Sequence, residues 1–468
     1  MKLWSIWIEC VMELRPACAR LTTFLWMLVC LMAITIRSDR AGVTSFVRAL
    51  GLQPYCYDRL LDFLHSKSLD LKRLTEIWVQ LVLRIFPQPL RINGRMVLVG
   101  DGIKVSKEGI KMPAVKSLHQ ESDSNTKAEY IMGHSCQAVA LLVGAIDSFF
   151  AVPLSSRIHE GLVFSNRHKH TLLDKMVSLI ESLKMTEPLY FVADAYYAAR
   201  PIIQGMLKNG HHLVTRLKSN AVASLPAHPK NTKKPHRGRP KTYGNKIKVK
   251  NLFKQWVDFE TVKSPLYGEK NTTLQFRSFQ FYWRRAGLMV LYVLVIHPQR
   301  GRIMLMCTDL SLSPIEVIKL YGLRYKIELS FKQALRVLGA YTYHFWMKSM
   351  DSIDRRSGNQ YLHRKSQEYR DAVVRKISAY HRHIQLGLIA QGLLQYLACT
   401  APQLVWEKFG SWIRTIRPGI PPSEQVTAMA LKNSFPEFLA DTTKSYIYKK
   451  FLRDRIDLSR AEGYRLVA

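Results

Sequence analysis

Acidic residues are scarce in this chain. Asp and Glu number 35 among 468 residues, against 69 Lys and Arg, a formal net charge of +34. Such an excess repels itself unless a polyanion neutralises it. Nucleic acid is the first candidate, because basic residues release the counterions condensed on phosphates, and an anionic membrane surface is the second. Paired cysteines are missing too. Cys10, Cys18, Cys30, Cys56, Cys136, Cys307 and Cys399 are odd in number and form no CxxC motif. That argues against a disulfide framework or a zinc site and fits a reducing cytosol. No apolar run reaches the ~18–20 residues of a bilayer span. The most apolar stretch, Leu21 to Ile36, has 16 residues between Arg20 and Arg37 and lacks the cleavage-site flanks of a signal peptide. It reads as a buried helix. There is no internal repeat.

What is present divides the chain. Residues 1–90 carry apolar residues at helical spacing, as in "LLDFLHSKSLDLKRLTEIWVQLVLRIF", and "FPQPLRINGR" breaks the pattern. Strand-like runs follow: "RMVLVGDG", "GIKVSKEGI" after a turn, and the longer "SCQAVALLVGAI". "HTLLDKMVSLIESLKM" predicts an amphipathic helix, "LYFVADAYY" a strand reaching an Asp, "RPIIQGMLKNG" a helix closed by Gly210, and "HHLVTRL" another strand. Three strands, then helix, strand, helix and strand predict a mixed α/β sheet with helices on its faces. A strand-rich insertion at about 220–310 follows, and helices resume from about 370.

One late helix carries polar groups on one side. Ser313 predicts its N-cap and Pro314 its first turn. At 3.6 residues per turn, Tyr321, Arg324, Glu328, Lys332 and Leu335 fall within an arc of roughly 80°. A ladder of surface ion pairs explains such a stripe equally well. Two further carboxylates, Asp101 in "MVLVGD" and Asp194 in "LYFVAD", sit where apolar strands run out, and sites form at the carboxyl ends of strands in open α/β sheets. Three carboxylates without a His or Cys cluster suit Mg²⁺ or Mn²⁺, which prefer oxygen ligands and bridge to phosphates. Two such ions can activate a nucleophile and stabilise a leaving oxygen in phosphoryl transfer. Tyr321, Arg324 and Lys332 share the Glu328 face and are expected to hold DNA phosphates.

With these residues the chain resembles bacterial insertion-sequence DDE transposases, in the group with a Y-x2-R-x3-E-x6-K signature. Tyr321, Arg324 and Glu328 match it, and Leu335 stands at the usual lysine. "VLVGDG", "SRIHEG", "FVADAYY", "CTDLSLSP" and "HFWMK" are similar stretches, in order, over residues 90–345. The resemblance implies an RNase H-like α/β fold with a strand-rich insertion. It implies three regions: an N-terminal helical domain (1–90) for DNA binding or assembly, a catalytic domain (91–345) and a helical C-terminal region (346–468). The implied catalytic and metal-binding triad is Asp101, Asp194 and Glu328, and the implied partners are transposon-end and target duplex DNA. A homodimer on DNA, in a bacterial cytoplasm and without a membrane, completes the expectation. A DNA-binding relative that has lost catalysis is the alternative.

Between Lys230 and Lys254 there are ten Lys or Arg and no Asp or Glu. Pro235 and Pro240 disfavour a continuous helix there. The "RGRP" core makes Arg237, Arg239 and Lys241 candidates for an A·T-rich minor groove, with a charged linker as the plain alternative. Trp256 and Trp283 read as core aromatics, with stacking on an unpaired base as the other option. His159 and Glu160 read as groups behind the site, not ligands.

Overall fold

The computed structural model describes residues 2–459 apart from 121–127, 146–147, 168–169, 228–241, 255–258, 284–285, 411–414 and 442–445. Five helices come first: α1 (Leu3–Met12), α2 (Leu21–Ile36), α3 (Thr44–Ala49), α4 (Cys56–His65) and α5 (Leu71–Ile85). Next are β1 (Arg91–Ile92), β2 (Arg95–Ser106), β3 (Lys116–His119), β4 (Tyr130–Ala145), β5 (Ser148–Ile158) and β6 (Leu162–Val163). α6 (Leu172–Glu181), β7 (Leu189–Ala193), α7 (Arg200–Lys208) and β8 (His212–Arg216) follow. The insertion adds β9 (Val222–Pro226), β10 (Tyr243–Lys248), β11 (Glu260–Lys263), β12 (Thr273–Trp283), β13 (Leu288–His297) and β14 (Gly301–Cys307). α8 (Pro314–Leu323), α9 (Lys326–Gln333), α10 (Gln367–Thr400), α11 (Pro402–Phe409) and α12 (Glu424–Asn433) lead to shorter helices ending at Arg453.

The centre of the sheet runs β5-β4-β2-β7-β8, with β4 antiparallel to both β2 and β5, and β7 and β8 parallel to β2. That is the RNase H-like order expected above. The insertion does not fold apart from it. β14 pairs antiparallel with β8, and β13, β12, β9 and β10 continue the same sheet outward. Within the basic run, Tyr243–Lys248 form the edge strand β10.

Alternation along the strands divides the core between two faces. Leu98, Phe191 and Leu213 point to the side covered by the terminal helices, and Val97, Val99, Tyr190, Val192 and Val214 to the side covered by α8. Each such fully buried side chain contributes about 1.5–3 kcal/mol relative to exposure. N- and C-terminal helices share the first layer. α10 packs on β5, α2, α4 and α5, Trp78 donates to the Pro153 carbonyl at 2.9 Å, and Arg382 donates to the Leu64 and Leu69 carbonyls. α2 is buried from Phe24 to Ile36, as its sequence predicts. No single described helix is long and apolar enough to cross a membrane. α10 and α11, bent by 105°, pass together on length and composition, but residues 379–395 of α10 lie in the core.

Two expectations are corrected. No turn follows Asp101. β2 continues to Ser106, because β4 pairs with it from Leu98 to Ser106 and keeps Asp101 and Gly102 extended. The late helix is also not continuous. Ser313 caps it as predicted, by accepting from the Glu316 amide, but α8 stops at Leu323 and α9 restarts at Lys326. Across the break the Arg324 amide bonds the Tyr321 carbonyl and the Ile327 amide the Arg324 carbonyl, three residues back instead of four. A π-helical turn from Ala334 to Leu338 ends the segment, and Gly339 closes it with φ of 60°.

Candidate active site

Asp101 and Asp194 are brought together by strand register. Val99 on β2 stands opposite Val192 on β7, and two further steps of the same register bring Asp101 alongside Asp194. Both continue the alternation that faces α8 and α9. Asp194 also does local work: its carboxylate accepts from the Tyr196 amide at 3.0 Å, and the Thr215 hydroxyl donates to its carbonyl at 2.7 Å.

Arg324, at the break between α8 and α9, turns inward instead of lying on an outer stripe. Its Nη1 donates to Asp101 Oδ2 at 3.0 Å, and its Nη2 donates to Glu328 Oε1. Asp101 and Arg324 are 20% and 18% exposed, Glu328 55%. Burial, with repulsion from Asp194, pushes the Asp101 carboxyl up to about 6, even though Arg324 opposes the shift. Burial works against the Arg324 charge as well, but attraction from Glu328 and Asp101 outweighs it and raises its pKa.

Behind the carboxylates His159, expected there from the sequence, opens a chain of hydrogen bonds whose other members, Gln137 and Tyr197, the sequence did not single out. His159 Nδ1 donates to Gln137 Oε1 at 2.6 Å, and Gln137 Nε2 donates to the Tyr197 hydroxyl at 3.0 Å. Gln137 on β4 stands opposite Gly102 on β2, so its side chain lies on the sheet face turned away from the Asp101 carboxylate. Burial lowers His159 to about 3, so it is neutral and positions Gln137. Glu160 pairs with Lys116 at 3.4 Å. α9 is anchored from the C-terminal layer, where buried Gln391 donates to the Ser330 carbonyl and hydroxyl at 3.0 and 3.1 Å.

The expected phosphate contacts separate. Lys332 is exposed and Tyr321 half-buried. Arg324 is engaged with carboxylates. Leu335 falls within the π-helical turn and packs against the core, so it does not continue the Glu328 face. A cleft of about 510 Å³ beside Arg324 is lined by Arg216, Tyr267, His297, Arg300 and Tyr321. Arg237, Arg239, Lys241 and Trp256 lie outside the described residues. Trp283 is a core residue, 6% exposed. Its Nε1 has no hydrogen-bond partner, and it borders a second cavity of about 840 Å³ with Tyr196, Lys218 and Lys246.

Among the described residues, no group of three His, Cys, Asp or Glu is disposed to hold a metal ion. Asp101 and Asp194 nevertheless fit a hard cation. They are neighbouring oxygen donors whose mutual repulsion a divalent ion would relieve. Glu328 is paired with Arg324.

The family described as DDE superfamily endonuclease matches residues 13–277, a stretch that holds Asp101 and Asp194 and stops short of Glu328. No curated protein matches the chain. Among solved structures, the piggyBac transposase synaptic complex with hairpin DNA aligns over 97% of this chain and 84% of its own, at 11% identity and a TM-score of 0.37. That likeness is too slight to carry the fold, which rests on the sheet order.

Proposed function

The chain belongs to the DDE superfamily endonuclease family, and we propose that it is a transposase that cleaves and joins DNA strands with two divalent ions, Mg²⁺ or Mn²⁺. The observation that carries this reading is the register that sets Asp101 beside Asp194 on parallel strands. Asp101, Asp194 and Glu328 would hold the ions, which when bound supply charge for nucleophile and leaving oxygen. The protein's own part is placement. β2 and β7 fix two carboxylates at one spacing, Gln391 fixes the helix that bears Glu328, and the Gln137–Tyr197 pair backs the site. Tyr321 and Arg216 line a wall where a DNA phosphate would sit, beside Arg300, which pairs with Glu269, and Lys332 offers a further charge outside it. The net charge of +34 supports duplex DNA as substrate, as transposon ends and then target.

The similarity of "YGLRYKIELSFKQAL" to the insertion-sequence signature supports the bacterial group, with a homodimer on DNA and residues 91–345 as the catalytic unit. The test is incubation of purified protein with duplex carrying the element's ends and Mn²⁺. Nicks at the element boundary that vanish with EDTA are expected. Binding without nicks under every metal condition would leave a DNA-binding protein without catalysis.

A further inference from the structure

We propose that Arg324 is an internal latch that takes the place of a metal ion in the DNA-free protein, and that a DNA phosphate releases it. This rests on the reading of Asp101, Asp194 and Glu328 as metal ligands. One guanidinium spans two of those carboxylates, with Nη1 on Asp101 and Nη2 on Glu328. A cation joining Asp101 to Glu328 would need the oxygens that Arg324 now holds, so the two compete. Glu328 cannot complete the set while it stays on Arg324, in keeping with the absence of a three-residue metal group among the described residues.

Three features make release feasible. Arg324 sits at the discontinuity between α8 and α9, where its own amide and the Ile327 amide make bonds three residues back, so its side chain is not fixed by a continuous helix. A cleft lies beside it, lined by Arg216, Tyr321 and Arg300, the last paired with Glu269 at 2.8 Å. A phosphate there offers the fork-shaped guanidinium an alternative bidentate partner. Glu328 itself is the most exposed of the three partners, free to turn once unpaired. DNA and metal would then bind with positive coupling, and by linkage each tightens the other. The metal site would stay closed until substrate arrives.

Calorimetric titration with MnCl₂ tests this on wild type, Arg324→Ala, Arg324→Gln and Asp194→Asn, each with and without a short duplex, after subtraction of duplex alone. Losing one charge-assisted competitor should tighten Mn²⁺ binding to the DNA-free Arg324→Ala protein about tenfold. Duplex should tighten Mn²⁺ binding to wild type by a similar factor and add little to the variant. Arg324→Gln keeps most of the side-chain volume and should behave as Arg324→Ala does, should the smaller residue disturb folding. Equal Mn²⁺ affinities for wild type and both Arg324 variants, with Asp194→Asn losing the metal, overturn the latch and leave the metal site standing. Unchanged Mn²⁺ binding by Asp194→Asn overturns the metal site and the latch with it.

Discussion

Gly100, one residue before Asp101, permits the close approach of β2 and β7. A Cβ built there would stand 2.4 and 2.6 Å from Phe191 Cε2 and Cζ. Carbon atoms pack at ~3.5–4.0 Å, so the methyl of Gly100→Ala is about 1 Å too close to the ring. The ring cannot easily yield. Phe191 is fully buried, its other side packs edge-on against Tyr197 at 6.1 Å, and Val139 Cγ1 lies 3.5 Å from the new methyl. Either the ring leaves its rotamer or β2 moves away from β7, and overpacking of this kind costs ~1–3 kcal/mol. Urea unfolding followed by tryptophan fluorescence should show an earlier midpoint for Gly100→Ala. Adding Phe191→Leu removes the clashing ring atoms, so the double variant should be less destabilised than the sum of the single ones. A Gly100→Ala protein within ~0.5 kcal/mol of wild type would refute the packing argument, and with it the claim that this contact sets the spacing of Asp101 and Asp194.

Gln391→Leu, which removes both bonds to Ser330, should cost ~1–3 kcal/mol by urea unfolding and slow strand cleavage with DNA affinity kept; unchanged cleavage would show that α9 needs no such anchor. His134 is fully buried between the Tyr343 hydroxyl and the Pro113 carbonyl, and burial lowers it to about 3. A base lowered on folding contributes stability that is complete above its unfolded pKa near 6.5 and is lost as pH falls toward 3. At pH 5 the loss is about 2 kcal/mol, which urea midpoints at pH 7 and 5 should show, with a smaller pH effect in His134→Gln. Charge-neutral replacement of residues 233–241 should weaken duplex binding and erase a preference for A·T-rich over G·C-rich DNA; competition shifts that leave the preference intact would make the run a charged linker.

The sequence is most legible where one local cause decides. "LYFVAD" is a short apolar run between breakers and becomes β7 with Asp194 at its end. "HTLLDKMVSLIESLKM", read from its apolar spacing as an amphipathic helix, becomes α6, with Thr171 and Asp174 forming a reciprocal capping box at its start. β5 was hidden because it breaks strand rules: Pro153 sits at a bulge opposite Val139 and Ala140, and Ser155 and Ser156 are polar yet buried. Ser156 is satisfied by the Tyr341 hydroxyl and the Leu154 carbonyl by Gln385, partners 185 and 231 residues away. The inward turn of Arg324 is of the same kind. A helical wheel places it correctly relative to Glu328, but the break after Leu323 and the pull of Asp101 come from tertiary packing. Gly322 marks the place, since a Cβ there would lie 2.3 Å from Leu266 Cδ2. Glycine within a helix is a weak sign without that neighbour.

The proposed metal-dependent cleavage of DNA rests on neighbouring carboxylates on β2 and just past the end of β7. Single-turnover cleavage of end-bearing duplex in Mn²⁺, by wild type and Asp194→Asn at equal DNA occupancy, tests it most directly. Boundary nicks are expected from wild type and none above background from the variant, with the same duplex affinity or a slightly higher one, because a negative charge near phosphate is gone. Cleavage by Asp194→Asn at the wild-type rate would contradict it.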